Sequence, residues 1–267
     1  MKSNSFFLFI VMSIQLYAQN PYKVISVNGE ILAKKANIKL QSGVEVKSDD
    51  NFAFMIPNSR AALINPKLGR IILTEQNATD AFSKAAFAPA ISSVKTRGMI
   101  SNSIVSKNQL VSMFSDHLYV IDKLEIKINQ SLFPMNNNAY FFIRYTYKGE
   151  EINKRLSFKS DTLILDKNSL YTIDGVPIPN PDVSEMKLYY YEILGENAKA
   201  TFLSAFNLSF IDGEKLKSEV KIILDAIAKE SYDKKMAEVY DYVTQFYGTV
   251  DLEYLENWVN KVFMLKK

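Results

Sequence analysis

The spacing of apolar residues changes period once along this chain, near residue 212, and that change limits the architecture more than any other feature. Up to residue 211, apolar and aromatic side chains come in short runs cut by Gly, Pro, Asn and Asp. This is the pattern of strands divided by turns. Beyond it the spacing is that of amphipathic helices. One carries Leu216, Val220, Ile223, Leu224 and Ile227; a second carries Met236, Val239, Tyr240, Val243 and Phe246; a third carries Leu252, Leu255, Trp258, Val259, Val262 and Phe263. Asp212 and Ser231 are candidate N-caps, Gly248 is a stop signal, and the third helix starts near Asp251. The expected fold class is mainly β with a helical C-terminal region (α+β): a small β module, a β-sandwich, then about three α-helices.

Residues 19–74 read as a small all-β module. A strand over residues 22–27 meets Asn28-Gly29, the strongest two-residue hairpin signal, because both positions tolerate positive φ. Further short strands follow, including Phe52, Phe54 and Ile56 in alternation, and two strands flank the turn Asn65-Pro66-Lys67-Leu68-Gly69. Residues 75–116 read as a connector, alanine-rich over residues 79–90, with a short helix near residues 107–115 that puts Leu110, Val111 and Phe114 on one face. Residues 117–211 return to β-branched and aromatic runs with turns at Lys148-Gly149, Asp174-Gly175 and the proline-rich stretch 177–181. That regular punctuation predicts a β-sandwich domain. Residues 212–267 form the helical unit.

In the first module Gly29, the Leu40…Gly43 step, Asp50, the run Ala61-Ala62-Leu63-Ile64 and Gly69 occur in an order that resembles the periplasmic β domain of FecR-type sensor regulators. That resemblance implies a β domain of an envelope protein. FecR-type regulators relay a signal through a transmembrane helix to a cytoplasmic segment, and neither feature is visible in this sequence, so the relay is not carried over. The mature chain also resembles a set of exported proteins of Bacteroidetes-type genomes. The stretches that carry it are Pro66-Lys67-Leu68-Gly69-Arg70, Phe133-Pro134-Met135-Asn136, Arg144-Tyr145-Thr146-Tyr147-Lys148-Gly149-Glu150, Asp174-Gly175-Val176-Pro177-Ile178 and Gln245-Phe246-Tyr247-Gly248. It implies bacterial origin and envelope location, and nothing about mechanism.

Residues 1–18 have the layout of a secretory signal. Lys2 supplies the charge, residues 6–14 an apolar core broken only by Ser13, and Leu16 and Ala18 the −3 and −1 positions of a cut before Gln19. The core is too short to span a bilayer. An exported, soluble protein of the periplasm or cell surface is expected, with no membrane span, since no later segment reaches 18 continuous apolar residues. The net charge of +3 makes no electrostatic case for nucleic acid. The chain has no cysteine, which removes disulfides, thiolate metal sites, a thiol nucleophile and lipid acylation at the cut. In a bacterial setting the Asn-x-Ser/Thr triplets at Asn77, Asn129 and Asn207 read as chance. No GxGxxG, GxxxxGK[ST] or GxSxG motif occurs. No cofactor and no metal is expected.

His117 is the single histidine, so a two-histidine metal site is excluded and a Ser-His-Asp triad has one possible base. Paired carboxylates are the remaining route to hydrolysis: Glu150 with Glu151, Asp161 with Asp166, Asp182 with Glu185. Adjacent residues on a strand point to opposite faces, which keeps Glu150 and Glu151 from flanking one bond.

Aromatic strands are the stronger lead. Alternation puts Phe141, Ile143, Tyr145 and Tyr147 on one face and Tyr140, Phe142, Arg144 and Thr146 on the other; Tyr189, Tyr190 and Tyr191 also occupy both faces. A sandwich strand needs one apolar face, so the surplus is either covered or exposed for a ligand. Tyr145, Tyr147, Tyr189, Tyr191 and Trp258 are the candidate contact residues. The expected function is non-catalytic binding or scaffolding of an envelope protein partner. The alternatives are polysaccharide binding by aromatic faces and, behind that, a carboxylate-dependent hydrolase.

Overall fold

The computed structural model describes residues 21–89, 104–178, 183 and 185–265. The expected export signal, residues 90–103 of the connector and residues 179–182 of the proline-rich turn, with Asp182, lie outside the described residues. The fold is mainly β, with three long helices gathered at the C-terminus. Among the described residues no helix is long and apolar enough to cross a membrane.

The first module contains β1 (Tyr22–Asn28), β2 (Ile31–Ala33), β3 (Ile38–Lys39), β4 (Glu45–Val46), β5 (Phe52–Phe54), β6 (Arg60–Asn65) and β7 (Gly69–Thr74). One antiparallel sheet has the order β4-β1-β6-β7 and a smaller one β3-β2-β5. Tyr22, Val24, Ala61, Leu63 and Leu73 share one core. Ile25, Ala62 and Ile64 face the opposite way, into a second core with the C-terminal helices. The larger sheet is therefore buried on both faces, which is why β6 reads as an unbroken apolar run rather than an alternating one. Alternation turns Ile25 to the helical side, and a register shift in β1 between Val24 and Ser26 brings Val27 back to the first core.

Residues 75–89 do not run free as a linker. Ala81 and Phe82 pack on the first core, the Phe82 ring lying 5.0 Å from Tyr22 and 5.7 Å from Phe52. Ala86 then pairs antiparallel with Arg70. Gly69 has φ +104°, and a Cβ there would fall 2.2 Å from the Ala86 carbonyl carbon, so only glycine admits this close approach.

The middle unit contains α1 (Lys107–Met113), β8 (His117–Ile121), β9 (Lys123–Lys127), β10 (Ala139–Tyr147), β11 (Glu150–Arg155), β12 (Ser157–Lys159), β13 (Thr162–Asp166), α2 (Lys167–Leu170), β14 (Thr172–Ile173), β15 (Val176–Pro177), β16 (Met186–Leu194) and β17 (Asn197–Ile211). A five-stranded sheet, β11-β10-β16-β17-β8, and a three-stranded one, β12-β13-β9, share a core through Phe141, Ile143, Leu188, Leu163, Leu165 and Ile126. Residues 151–158 are not one continuous strand. Leu156 is buried between β11 and β12, and the chain crosses there from one sheet to the other. β8 lies parallel to the end of β17, whereas the other pairings are antiparallel.

Helices α3 (Gly213–Ala226), α4 (Tyr232–Phe246) and α5 (Leu252–Phe263) start where the caps predict. Asp212, Ser231 and Asp251 accept from the backbone N–H groups of Lys215, Lys234 and Tyr254. The core of these helices takes in Ile25, Ala62 and Ile64 from the first module and Ile121 and Ile211 from the sandwich. The helical unit thus packs on both β units at once, not merely on itself or on the sandwich. The hydroxyl of the half-buried Tyr254 accepts from the Ile121 N–H at 2.9 Å, donates to the Lys123 carbonyl, and anchors α5 to the start of β9.

Two tyrosines of the sandwich, Tyr190 buried and Tyr171 half-buried, yield a pH prediction. Burial, with smaller contributions from Tyr145 and Glu192 respectively, pushes Tyr171 and Tyr190 up to about 12 from an ordinary value of 10.0. The unfolded chain ionises them first, so their contribution to stability is complete below pH 10 and is lost as pH rises towards 12. The urea midpoint is expected to fall across that window. It should fall less steeply in a Tyr171→Phe/Tyr190→Phe variant, and identical slopes would refute the assignment.

Candidate functional site

The candidate contact residues divide between the two faces of the five-stranded sheet. Tyr145 faces the core: it is 2% exposed, and its hydroxyl donates to the Leu170 carbonyl at 2.8 Å. It is not available to a ligand. Tyr147 is half-buried against the same core. Tyr189 and Tyr191 point the other way, out of the sandwich and half-exposed. Trp258 is half-buried on α5, packed on Phe263 at 6.4 Å beside a cavity of about 480 Å³ that also takes in Lys123, Glu125 and Tyr254. It lies far in the fold from the tyrosine pair.

What the structure assembles around Tyr189 and Tyr191 is larger than the expectation. Cross-strand register sets Tyr140 opposite Tyr191, Phe142 opposite Tyr189, and Phe202 next to Tyr189. Phe142 and Tyr189 stack at 5.0 Å with planes 8° apart, Tyr140 and Tyr191 lie 4.8 Å apart, and Phe202 meets Tyr189 edge-on at 5.6 Å. Two guanidinium groups lie on these rings: Arg144 at 4.9 Å from Tyr189, and Arg155 at 4.2 Å from Tyr140. Arg144 is held by Asn153 at 2.9 Å and by Glu151 at 3.2 Å. Phe202 remains 51% exposed, and none of Tyr140, Phe142, Tyr189, Tyr191 and Phe202 belongs to any of the three cores. Arg144, Phe142 and Tyr140 were legible in the alternation of β10 as its second face. Phe202 and Arg155 were not, because their partners are set by register.

A second constellation joins the first module to α4. Arg70, buried on β7, donates from Nε to Glu238 at 2.7 Å, pairs with Asp241, and donates to Gln245 at 3.2 Å. The second Glu238 oxygen accepts from the Ala88 N–H at 2.7 Å. These polar groups satisfy one another, which makes the cluster a tie between units rather than chemistry in waiting. The neighbouring helix carries Glu219, 1% exposed, which accepts from the Tyr247 hydroxyl at 2.7 Å. Burial and the Glu219 charge push the phenols of Tyr242 and Tyr247 far above their ordinary value.

The residues considered for catalysis are scattered. Glu150, Glu151 and Asp161 are exposed, while Asp166 caps α2 by accepting from the Ser169 N–H at 3.0 Å. His117 is exposed and stacks on Tyr119 at 4.3 Å. Its Nε2 lies 2.8 Å from the Ser209 hydroxyl, within reach for a nucleophile and base, but among the described residues no carboxylate is hydrogen-bonded to the other ring nitrogen. Among the described residues no group of three or more His, Cys, Asp and Glu side chains is placed to hold a metal ion. No protein-family model matches the chain, and no curated protein matches it in sequence.

Proposed function

We propose that this protein is a non-catalytic binding or scaffolding component of the bacterial envelope, exported and processed before Gln19, and that it holds a partner protein on the outer face of the five-stranded sheet. The observation that carries the reading is the outer-face set of five rings and two arginines around Tyr189, in which Phe142 is covered by its neighbours to 8% exposure and Phe202 stays 51% exposed. Tyrosine and arginine are the residue types that dominate protein interfaces, because each combines large contact area with a polar handle. Arg144, Arg155 and Lys187 outnumber Glu151 and Glu185, the latter 3.7 Å from Lys187, which suits a partner presenting carboxylates among apolar groups. A polysaccharide would need open ring faces to stack on. Here the guanidinium groups and neighbouring rings already occupy those faces, leaving mainly edges. The FecR-like pattern of residues 22–74 agrees with an envelope role in protein contact.

The test is recovery of bound proteins from extracts of the native host by tagged protein, with Phe202→Ala and Arg144→Glu variants in parallel. Loss of one hot-spot side chain is expected to weaken capture of a given partner about 30-fold or more, with the melting temperature unchanged. Equal capture by wild type and variants would overturn the reading. So would saturable polysaccharide binding that the same substitutions abolish.

A further inference from the structure

A small polar pocket lies where the first module, the sandwich and the helices meet, at the β8 end of the five-stranded sheet rather than over its aromatic strands. Its volume is about 250 Å³, and Asn28, Arg60, Tyr119, Ser209, Lys215 and Tyr247 line it. That is below the roughly 300–1,000 Å³ of pockets for drug-sized molecules, so it suits one functional group rather than an extended ligand.

The charges around it are unequal. Arg60, at the start of β6, donates from Nη2 to the Phe246 carbonyl at 2.7 Å and lies 5.0 Å from the Phe246 ring. Those contacts fix the guanidinium plane, and none of its remaining N–H groups has a carboxylate partner among the described residues. Lys215, on the first turn of α3, has its ammonium 3.9 Å from Glu219. Glu219 itself accepts a hydrogen bond from the Tyr247 hydroxyl, so that O–H is already engaged. Asp212 faces its own helix end, accepting from the Lys215 N–H at 2.8 Å, and Asp122 likewise accepts from Gly213. Among the described residues Arg60 and Lys215 line the pocket and no carboxylate does, while Glu219 and Asp212 act on Tyr247 from behind the wall. Neutral donors complete the lining: the Asn28 amide, and the Ser209 hydroxyl positioned by His117. Gly248 shapes the wall, since a Cβ at this residue, where φ is +139°, would strike the Tyr119 ring at 2.1 Å.

We infer that this pocket binds a small oxyanion, a carboxylate or phosphate group, on the Arg60 fork with Lys215 as its second cation. Fixed N–H donors and two lining cations in a half-enclosed site favour an anion more than the same groups in open water. Module, sandwich and helices each supply part of the lining, so occupancy would tighten the joint between them.

The experiment follows thermal unfolding and isothermal titration of the full mature chain with sodium phosphate, acetate and N-acetylglycine, against sodium chloride at matched ionic strength. A saturable rise in melting temperature beyond that of chloride is expected. Arg60→Lys and Lys215→Gln should each weaken binding about tenfold or more, while Lys221→Gln, elsewhere on α3, should leave it intact. Tighter saturation by N-acetylglycine than by acetate would assign the site to a peptide carboxyl terminus; equal or weaker saturation would assign it to free anions. Shifts no larger than those of chloride, or undiminished in both Arg60→Lys and Lys215→Gln, would overturn the inference. Lys215 is exposed on the helix surface, so its variant keeps the test readable even if the Arg60 variant folds poorly.

Discussion

Replacing Glu238 with alanine is expected to destabilise the protein by about 3–5 kcal/mol, the usual cost of removing one partner from a buried ion pair. Arg70 and Glu238 are 4% and 1% exposed in their side chains, so neither charge has water to fall back on. Removing the carboxylate leaves the Arg70 guanidinium with the more exposed Asp241 and with Gln245 alone. It also leaves the Ala88 N–H without its acceptor. The damage should concentrate at the joint between β7 and α4, which this pair spans across 168 positions of sequence. A double variant, Arg70→Met with Glu238→Leu, should recover much of the loss, because an apolar pair of similar volume removes both desolvation penalties together. Denaturant unfolding of the wild type and these two variants decides it. A single-variant loss below about 1 kcal/mol would mean that the pair behaves as an exposed one.

Phe141→Ala is expected to cost a similar amount, about 3–5 kcal/mol. Phe141 is fully buried at the centre of the sandwich core, with Phe133 at 5.4 Å and Tyr190 at 5.0 Å. Its removal opens a cavity that two sheets held at fixed spacing cannot collapse to fill. Phe142→Ala, one residue along and on the opposite face, should cost less, because its ring, though 8% exposed, is covered by the side chains of Tyr189 and Arg144, which can close over the gap, and not by a second sheet. Equal losses at the two positions would contradict the assignment of inner and outer faces. The comparison also separates stability from binding, since only the outer face is proposed to meet a partner.

Much of this contrast was legible in the alternation of β10, which divides Phe141 and Tyr145 from Tyr140 and Phe142. Alternation sorts residues into two sets but does not say which set faces the core. Tyr145 was assigned to the ligand side on equal footing with Tyr189, and packing against Leu170 and Tyr171 settles it as interior. The aromatic surface also needed Phe202 and Arg155, whose places depend on a bulge between Leu188 and Tyr189 and on the β10–β11 register. Neither leaves a trace in residue types. The unbroken run of β6 did carry a signal, that of a strand covered on both faces, although the helices that cover it lie more than 150 residues away.

By itself the sequence determined what is local: the switch from strand to helix period near residue 212, the turns at Lys148-Gly149 and Asp174-Gly175, and helix starts at Asp212, Ser231 and Asp251. The hairpin expected at Asn28-Gly29 does not form: β1 pairs with β4 and β6 and β2 with β3 and β5, so the chain passes there from one sheet to the other. Those follow from backbone preferences and hydrogen bonds within a few residues of each other. Only the tertiary structure decided that the helices wedge between two β units, that Arg70 meets Glu238, and that Arg60 and Lys215 share a pocket. Such meetings depend on which distant surfaces bury each other. The free energy of that choice belongs to the whole packed chain, and no short stretch encodes it.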